Sequence, residues 1–168
     1  FEDLQDVIEF MMTRLTLLPE KTRELLQFAS CLGHRFSLGG LCLISKVERE
    51  EVLQHLEEVL RQGMILLSDQ ASFSEIIEQD RYYQFRHDRI QQEMYGSLPS
   101  AQLREMHFEI GRTMLSELPE ALQKEYAIDI VNQFHLSGYS IQDESLPKCL
   151  SQLHLWASQK AKSMAAYQ

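Results

Sequence analysis

No segment of this chain is equipped to cradle a phosphate with its backbone: seven glycines are scattered along it, and no glycine-rich run ends in Lys-Ser or Lys-Thr. A Gly-x-Ser-x-Gly turn is missing, as is any Cys/His pair placed to meet, so the pattern predicts no catalytic residues in these 168 positions. Six histidines are dispersed without metal-ligand spacing, which predicts no metal site. Cysteines number three, an odd count, and Cys31, Cys42 and Cys149 each stand among apolar neighbours. Buried free thiols in a reducing cytoplasm are the expectation. No apolar run approaches the roughly 18 residues of a membrane span, and Phe1-Glu2-Asp3-Leu4 is not the charged start of a signal peptide. Without an initiator Met, and with a helical pattern reaching Ala165-Ala166-Tyr167-Gln168, the sequence reads as a piece of a longer protein.

Positive charge is also scarce. Lys and Arg total 16 against 25 Asp and Glu, a formal net charge of −9. Nucleic-acid affinity comes from neutralised phosphates, so an acidic chain is disfavoured as a DNA binder. A hydrophobic content of 44% is enough to fill a core, and the length suits one moderate domain or two small helical ones.

Periodicity supplies the elements. Leu4, Val7, Ile8, Met11, Met12 and Leu15 form one helical stripe that Pro19 closes. Leu25, Leu26, Phe28, Ala29 and Leu32 mark a second helix, stopped by Gly33. Ser37 is placed to cap a short helix carrying Leu38, Leu41 and Ile44. Val52, Leu53, Leu56, Val59 and Leu60 predict the next, ended by Gly63. Strand signals follow in Met64–Asp69 and in Arg81–Phe85, with the polar stretch Gln70–Asp80 between them. Helix, short helix, helix, strand, long loop, strand is the order of a winged helix, with the loop as its wing. The fold class expected is therefore mainly α, with a three-helix core and a two-stranded wing over residues 19–98, preceded by a helical linker over 1–18.

From Asp88 onward the pattern is helical. Gly111 lies on or near the stripe of Leu103, Met106, Ile110, Met114 and Leu118, where it predicts close helix packing. Tyr126, Ile130, Val131 and Phe134 predict another helix, Gly138–Pro147 a polar connection, and Leu150, Leu153, Ala157, Ala161 and Met164 a last helix from about Leu146. Residues 99–168 thus read as a tetratricopeptide-like bundle leading into helical repeats.

Two surface features carry functional meaning. The third helix of the winged-helix order bears Glu48, Glu50, Glu51, Glu57 and Glu58 against Arg49 and Arg61, so it would repel DNA where such a helix enters a groove. The run Phe85-Arg86-His87-Asp88-Arg89-Ile90-Gln91-Gln92 joins a strand to a helix. Asp88 and Gln91 have the spacing of a capping box. Arg86, His87 and Arg89 then place an imidazole and two guanidinium groups beside free helix N–H groups, which predicts an anion-binding corner for a phosphate. Such a corner senses a phosphate and does not cut it.

At these residues the chain resembles a known family. Leu18-Pro19, Thr22-Arg23-Glu24-Leu25-Leu26-Gln27, Cys31-Leu32-Gly33, Gly63-Met64-Ile65, Phe85–Gln92, Ile110-Gly111-Arg112 and Lys160-Ala161 are similar to the AAA-type "predicted ATPase" module of bacterial multi-sensor histidine kinases and serine/threonine kinases, of the STAND class of signalling ATPases. The resemblance covers nearly the whole chain. It implies an upstream nucleotide-binding domain as the winged helix's partner in the same chain, helical repeats downstream, and ATP or ADP held by the parent and not by this fragment. It also implies a role for His87 as the residue that contacts the nucleotide diphosphate, positioned by Asp88. Arg86 stands where related eukaryotic ATPases commonly have an apolar residue, and Ser158 where a glycine is usual before Lys160-Ala161. A protein-interaction scaffold is the alternative function, and a DNA-binding regulator the third.

Overall fold

A computed structural model describes residues 2–68, 80–138 and 147–166. The chain is mainly helical and divides into two compact units, Phe1–Pro99 and Ser100–Gln168.

The first unit begins with α1 (Glu2–Thr16) and α2 (Glu20–Leu32), separated at Pro19. Proline is tolerated there because the first amides of a helix have no intrahelical partner. Leu15 and Met11 of α1 are buried, whereas Val7 is 46% exposed, which corrects its assignment to the inward stripe. The side chains of Leu4 and Ile8 lie outside the described residues. Phe10 is exposed too, with the Arg14 guanidinium over its ring at 5.4 Å. In α2, Leu25, Leu26 and Ala29 are buried, and Gly33 ends the helix at φ 128°, a value that L side chains rarely adopt.

Next come β1 (Arg35–Ser37), α3 (Leu38–Ser45), α4 (Arg49–Arg61), β2 (Ile65–Leu67), β3 (Tyr82–Phe85) and α5 (Asp88–Gly96). The Ser37 hydroxyl accepts from Gly40 N at 2.9 Å, so it caps α3 as the sequence predicts. The expected two strands are joined by a third. The sheet is antiparallel in the order β1-β3-β2, with Phe36 opposite Tyr83 and Leu66 opposite Gln84. Three residues are too few to show alternation, so β1 could not be read locally. Its place is decided by Phe36, whose ring stacks on Tyr83 at 5.8 Å and tilts against Phe85 at 5.5 Å. Leu38, Leu41, Val52, Leu56, Val59, Met64, Ile65 and Ile90 are buried in this unit as well, each at most 3% exposed. Most of the Gln70–Asp80 connection lies outside the described residues.

The second unit contains α6 (Ser100–Glu117), α7 (Glu120–Glu125), α8 (Ala127–Leu136) and α9 (Pro147–Ala165). α8 packs on both α6 and α9. A Cβ built on Gly111 would stand 3.2 Å from the Phe134 ring, so the glycine does permit the close α6–α8 approach expected of it. Ala127, Ile130, Phe134, Leu150 and Leu153 form the core, and the partly buried Trp156 packs against them. His107 and Gln133, buried with them, are 2.6 Å apart from Nδ1 to Oε1. Gln123 Nε2 donates to Leu115 O and Leu118 O, satisfying carbonyls at the end of α6. Two apolar expectations fail on α9. Cys149 is exposed because Leu150 and Leu153 take the inward face beside it, and Met164 is 62% exposed near the helix end. No helix among the described residues is long and apolar enough to cross a membrane.

Candidate anion-binding corner

The corner between β3 and α5 is held at both ends by buried side chains. Phe85 is 1% exposed and Ile90 is fully buried, so the four residues between them have little freedom to shift. Two backbone bonds pin the start of the turn: Phe85 N donates to His34 O at 3.0 Å, and Arg86 N donates to Met64 O at 2.9 Å. The corner therefore sits where β3, the exit of α2 and the entry to β2 come together. Gly63 belongs to it as well. At φ 72° it occupies a conformation that favours glycine, and an added Cβ would lie 3.3 Å from Arg86 Nη1.

Arg86 and Arg89 are exposed and His87 is half-buried. Among the described residues neither arginine has an ion-pair partner. His87 is the N-cap residue, extended at φ −138° and ψ 139°, and makes no side-chain cap bond. Its carbonyl accepts from Ile90 N at 3.0 Å, which closes the first turn of α5.

The capping box is a correction. Asp88 is the first helical residue rather than the N-cap, and its Oδ1 lies 2.9 Å from His34 Nδ1. That distance is ionic when the imidazole is protonated, although the two groups are not aligned as a hydrogen bond. Gln91 turns away from the cap position and donates from Nε2 to Ser30 O at 3.1 Å. Both side chains are drawn toward the end of α2, because pairing of β1 with β3 brings that end against the corner. A carboxylate on the first turn still suits the helix dipole.

His34 was not legible as a partner of this corner. It is far from Asp88 in sequence, follows Gly33, and carries no local signal of its own. Arg86 and Arg89 stand on either side of one carboxylate, Asp88, in a chain of net −9.

The face of α4 has the opposite sign. Glu50, Glu51 and Glu57 are exposed, while Arg61 is paired with Glu58. A hydrogen bond from Gln62 holds the Glu58 carboxyl below its ordinary pKa, so it stays ionised. Among the described residues no cluster of three His, Cys, Asp or Glu side chains is arranged to hold a metal ion.

No family model matches the chain, and no solved structure matches it at the stringency applied. Among curated proteins it is similar to "Hybrid signal transduction histidine kinase G" of Dictyostelium discoideum. The two are 24% identical over an alignment of 216 residues that covers 99% of this chain and 6% of the kinase. The chain therefore has a distant likeness to one short stretch of a much longer signalling kinase.

Proposed function

We propose that this chain is a non-catalytic regulatory part of a STAND-class signalling protein. In this reading the first unit is a winged helix that packs on a nucleotide-binding domain of the same parent chain. The second is the entry to tetratricopeptide-like repeats. ATP or ADP is held by the parent in the cytoplasm, and this part holds no cofactor by itself. Arg86, His87 and Arg89 report the presence of the nucleotide's phosphates.

The observation that carries the reading is the corner itself: two guanidinium groups without ion-pair partners among the described residues flank a half-buried imidazole at a helix start. The order α2, β1, α3, α4, β2, β3 supports the winged helix. The likeness to a stretch of a signal transduction histidine kinase supports a signalling context. Exposed Glu50, Glu51 and Glu57 on α4 argue for packing against protein and against DNA.

The test is nucleotide retention and signalling output of the full parent protein carrying His87→Leu or the pair Arg86→Gln and Arg89→Gln. Loss of one charge-assisted bond to a phosphate weakens retention by about tenfold or more. Retention and output both equal to the unaltered protein would end the sensor reading.

Exposed Leu136, Leu155 and Met164 in the second unit favour a second reading, a scaffold that recruits a protein partner. Leu155→Asp with Met164→Asp in the parent separates the two. Loss of partner capture with nucleotide retention intact supports the scaffold, and unchanged capture removes it.

A further inference from the structure

Asp80 stands two residues before β3. Its side chain is only 2% exposed, yet it is a carboxylate. Oδ1 accepts from Gly39 N, in the first turn of α3, at 2.8 Å. Arg49 Nη1, on the first residue of α4, lies 3.9 Å from the same oxygen. One residue further on, Arg81 O accepts from Leu38 N at 2.8 Å. The first three amides of α3 are therefore all engaged: Leu38 by Arg81, Gly39 by Asp80 and Gly40 by the Ser37 hydroxyl. Two of those three partners are the residues that lead into β3.

Glycine at position 39 is needed for this arrangement. A Cβ there would stand 2.8 Å from Asp80 Oδ2 and 3.3 Å from its Cγ. The carboxylate has no room to retreat, being buried and bonded, so an alanine could be admitted only by dislodging it.

We infer that Asp80 is a conformational latch: its buried carboxylate fastens the heads of α3 and α4 to the residues that lead into β3, so that both first turns open together when it is displaced. A buried charge that loses its partners must return to water, and α3's capping amides go with it. The head of α4 follows, more weakly, because Arg49 is ion-paired with the same oxygen across 3.9 Å. The device lies away from the Arg86–Arg89 corner and does not depend on what that corner binds. It makes the α3–α4 side of this unit releasable while α2 and α5 stay packed, in the manner of a locally opening segment.

Hydrogen exchange on the whole chain tests this by comparing peptides 38–45 and 46–54 with peptides from α2 and α5. In Asp80→Ala the α3 peptide exchanges faster by about tenfold, the equivalent of one lost bond to a charged group, and the α4 peptide by about two- to fivefold, the worth of a half-exposed ion pair, while α2 and α5 stay unchanged. If Asp80→Ala does not fold, Gly39→Ala reads the latch from its other side and gives the same local acceleration. Acceleration of 38–45 alone overturns the coupling of the two heads. Uniform acceleration across the unit, or none, overturns the latch.

Discussion

Placing a methyl group on Gly111 sets two known effects against each other. Helix propensity favours alanine over glycine by about 1 kcal/mol in a helix interior. The built Cβ, however, would lie 3.2 Å from two ring carbons of Phe134 and 3.3 Å from a third. Carbon pairs attract best at about 3.5–4.0 Å, so the ring or α6 must yield by a few tenths of an ångström. Phe134 is 4% exposed and set edge-on to Phe108 at 5.9 Å and 75°, with Ile130, Leu150 and Leu153 in the same core. It has nowhere open to move. Overpacking of this kind costs about 1–3 kcal/mol, so Gly111→Ala loses about 1 kcal/mol net. Gly111→Val adds two more methyl groups, recovers less propensity, and loses about 3 kcal/mol. Trp156 is the sole tryptophan of the chain and packs against this core, so its fluorescence in urea reports the second unit directly. The midpoint falls in the order Gly, Ala, Val, and adding Phe134→Leu to Gly111→Ala restores about 0.5 kcal/mol or more. A more stable Gly111→Ala, gaining the full 1 kcal/mol or so, would refute the packing argument and leave propensity alone in control.

The cysteines separate by burial. Cys149 is exposed and labels rapidly with a thiol reagent at neutral pH, while Cys31 labels only as the first unit opens. Burial pushes the Cys31 thiol from 9.0 up to about 11. Between those values the folded thiol keeps a proton that the unfolded chain releases, so stability falls as pH rises, by at most about 1.4 kcal/mol per pH unit. Cys31→Ala abolishes that part of the slope, and urea melts at pH 8, 9.5 and 10.5 measure it. In the second unit, His107→Leu strips the buried Gln133 of a partner at 2.6 Å and costs about 1–3 kcal/mol. Gln133→Leu added to it costs less than the two single changes summed, and a double-mutant cycle by urea melts checks this. Phe85→Ala, at a side chain 1% exposed between Phe36 and the corner, costs about 3–5 kcal/mol and lowers the thermal midpoint of the first unit.

Helices were legible wherever an amphipathic stripe met a breaker. Pro19, Gly33 and Gly63 each stand just outside a helix end, because a fixed φ or a left-handed backbone acts locally. Reading failed where a decision rested on residues far apart. Val7 and Met164 fit their stripes by spacing, but the described residues leave them 46% and 62% exposed, and a period cannot report that. The helix read from Tyr126, Ile130, Val131 and Phe134 is α8, with Tyr126 as its N-cap at φ −95° and ψ 18°, whereas α7 before it went unread because six residues are too few to show a stripe.

The same division runs through the corner. Local pattern placed Arg86, His87, Asp88 and Arg89 at the start of a helix just after a strand, since alternation in Tyr82–Phe85 stops and helical periodicity begins at Ile90. It determined the acidic face of α4 for the same reason, that helical spacing fixes which side chains share a side. What those groups touch follows from long-range packing. Pairing of β1 with β3 brought His34 to Asp88, turned Gln91 toward Ser30, and left a capping box unformed. The approach of the residues just before β3 to the head of α3 buried Asp80 on Gly39. Local propensities act over a few residues, whereas the partner of a charge is set by where distant backbone hydrogen bonds and apolar side chains place it.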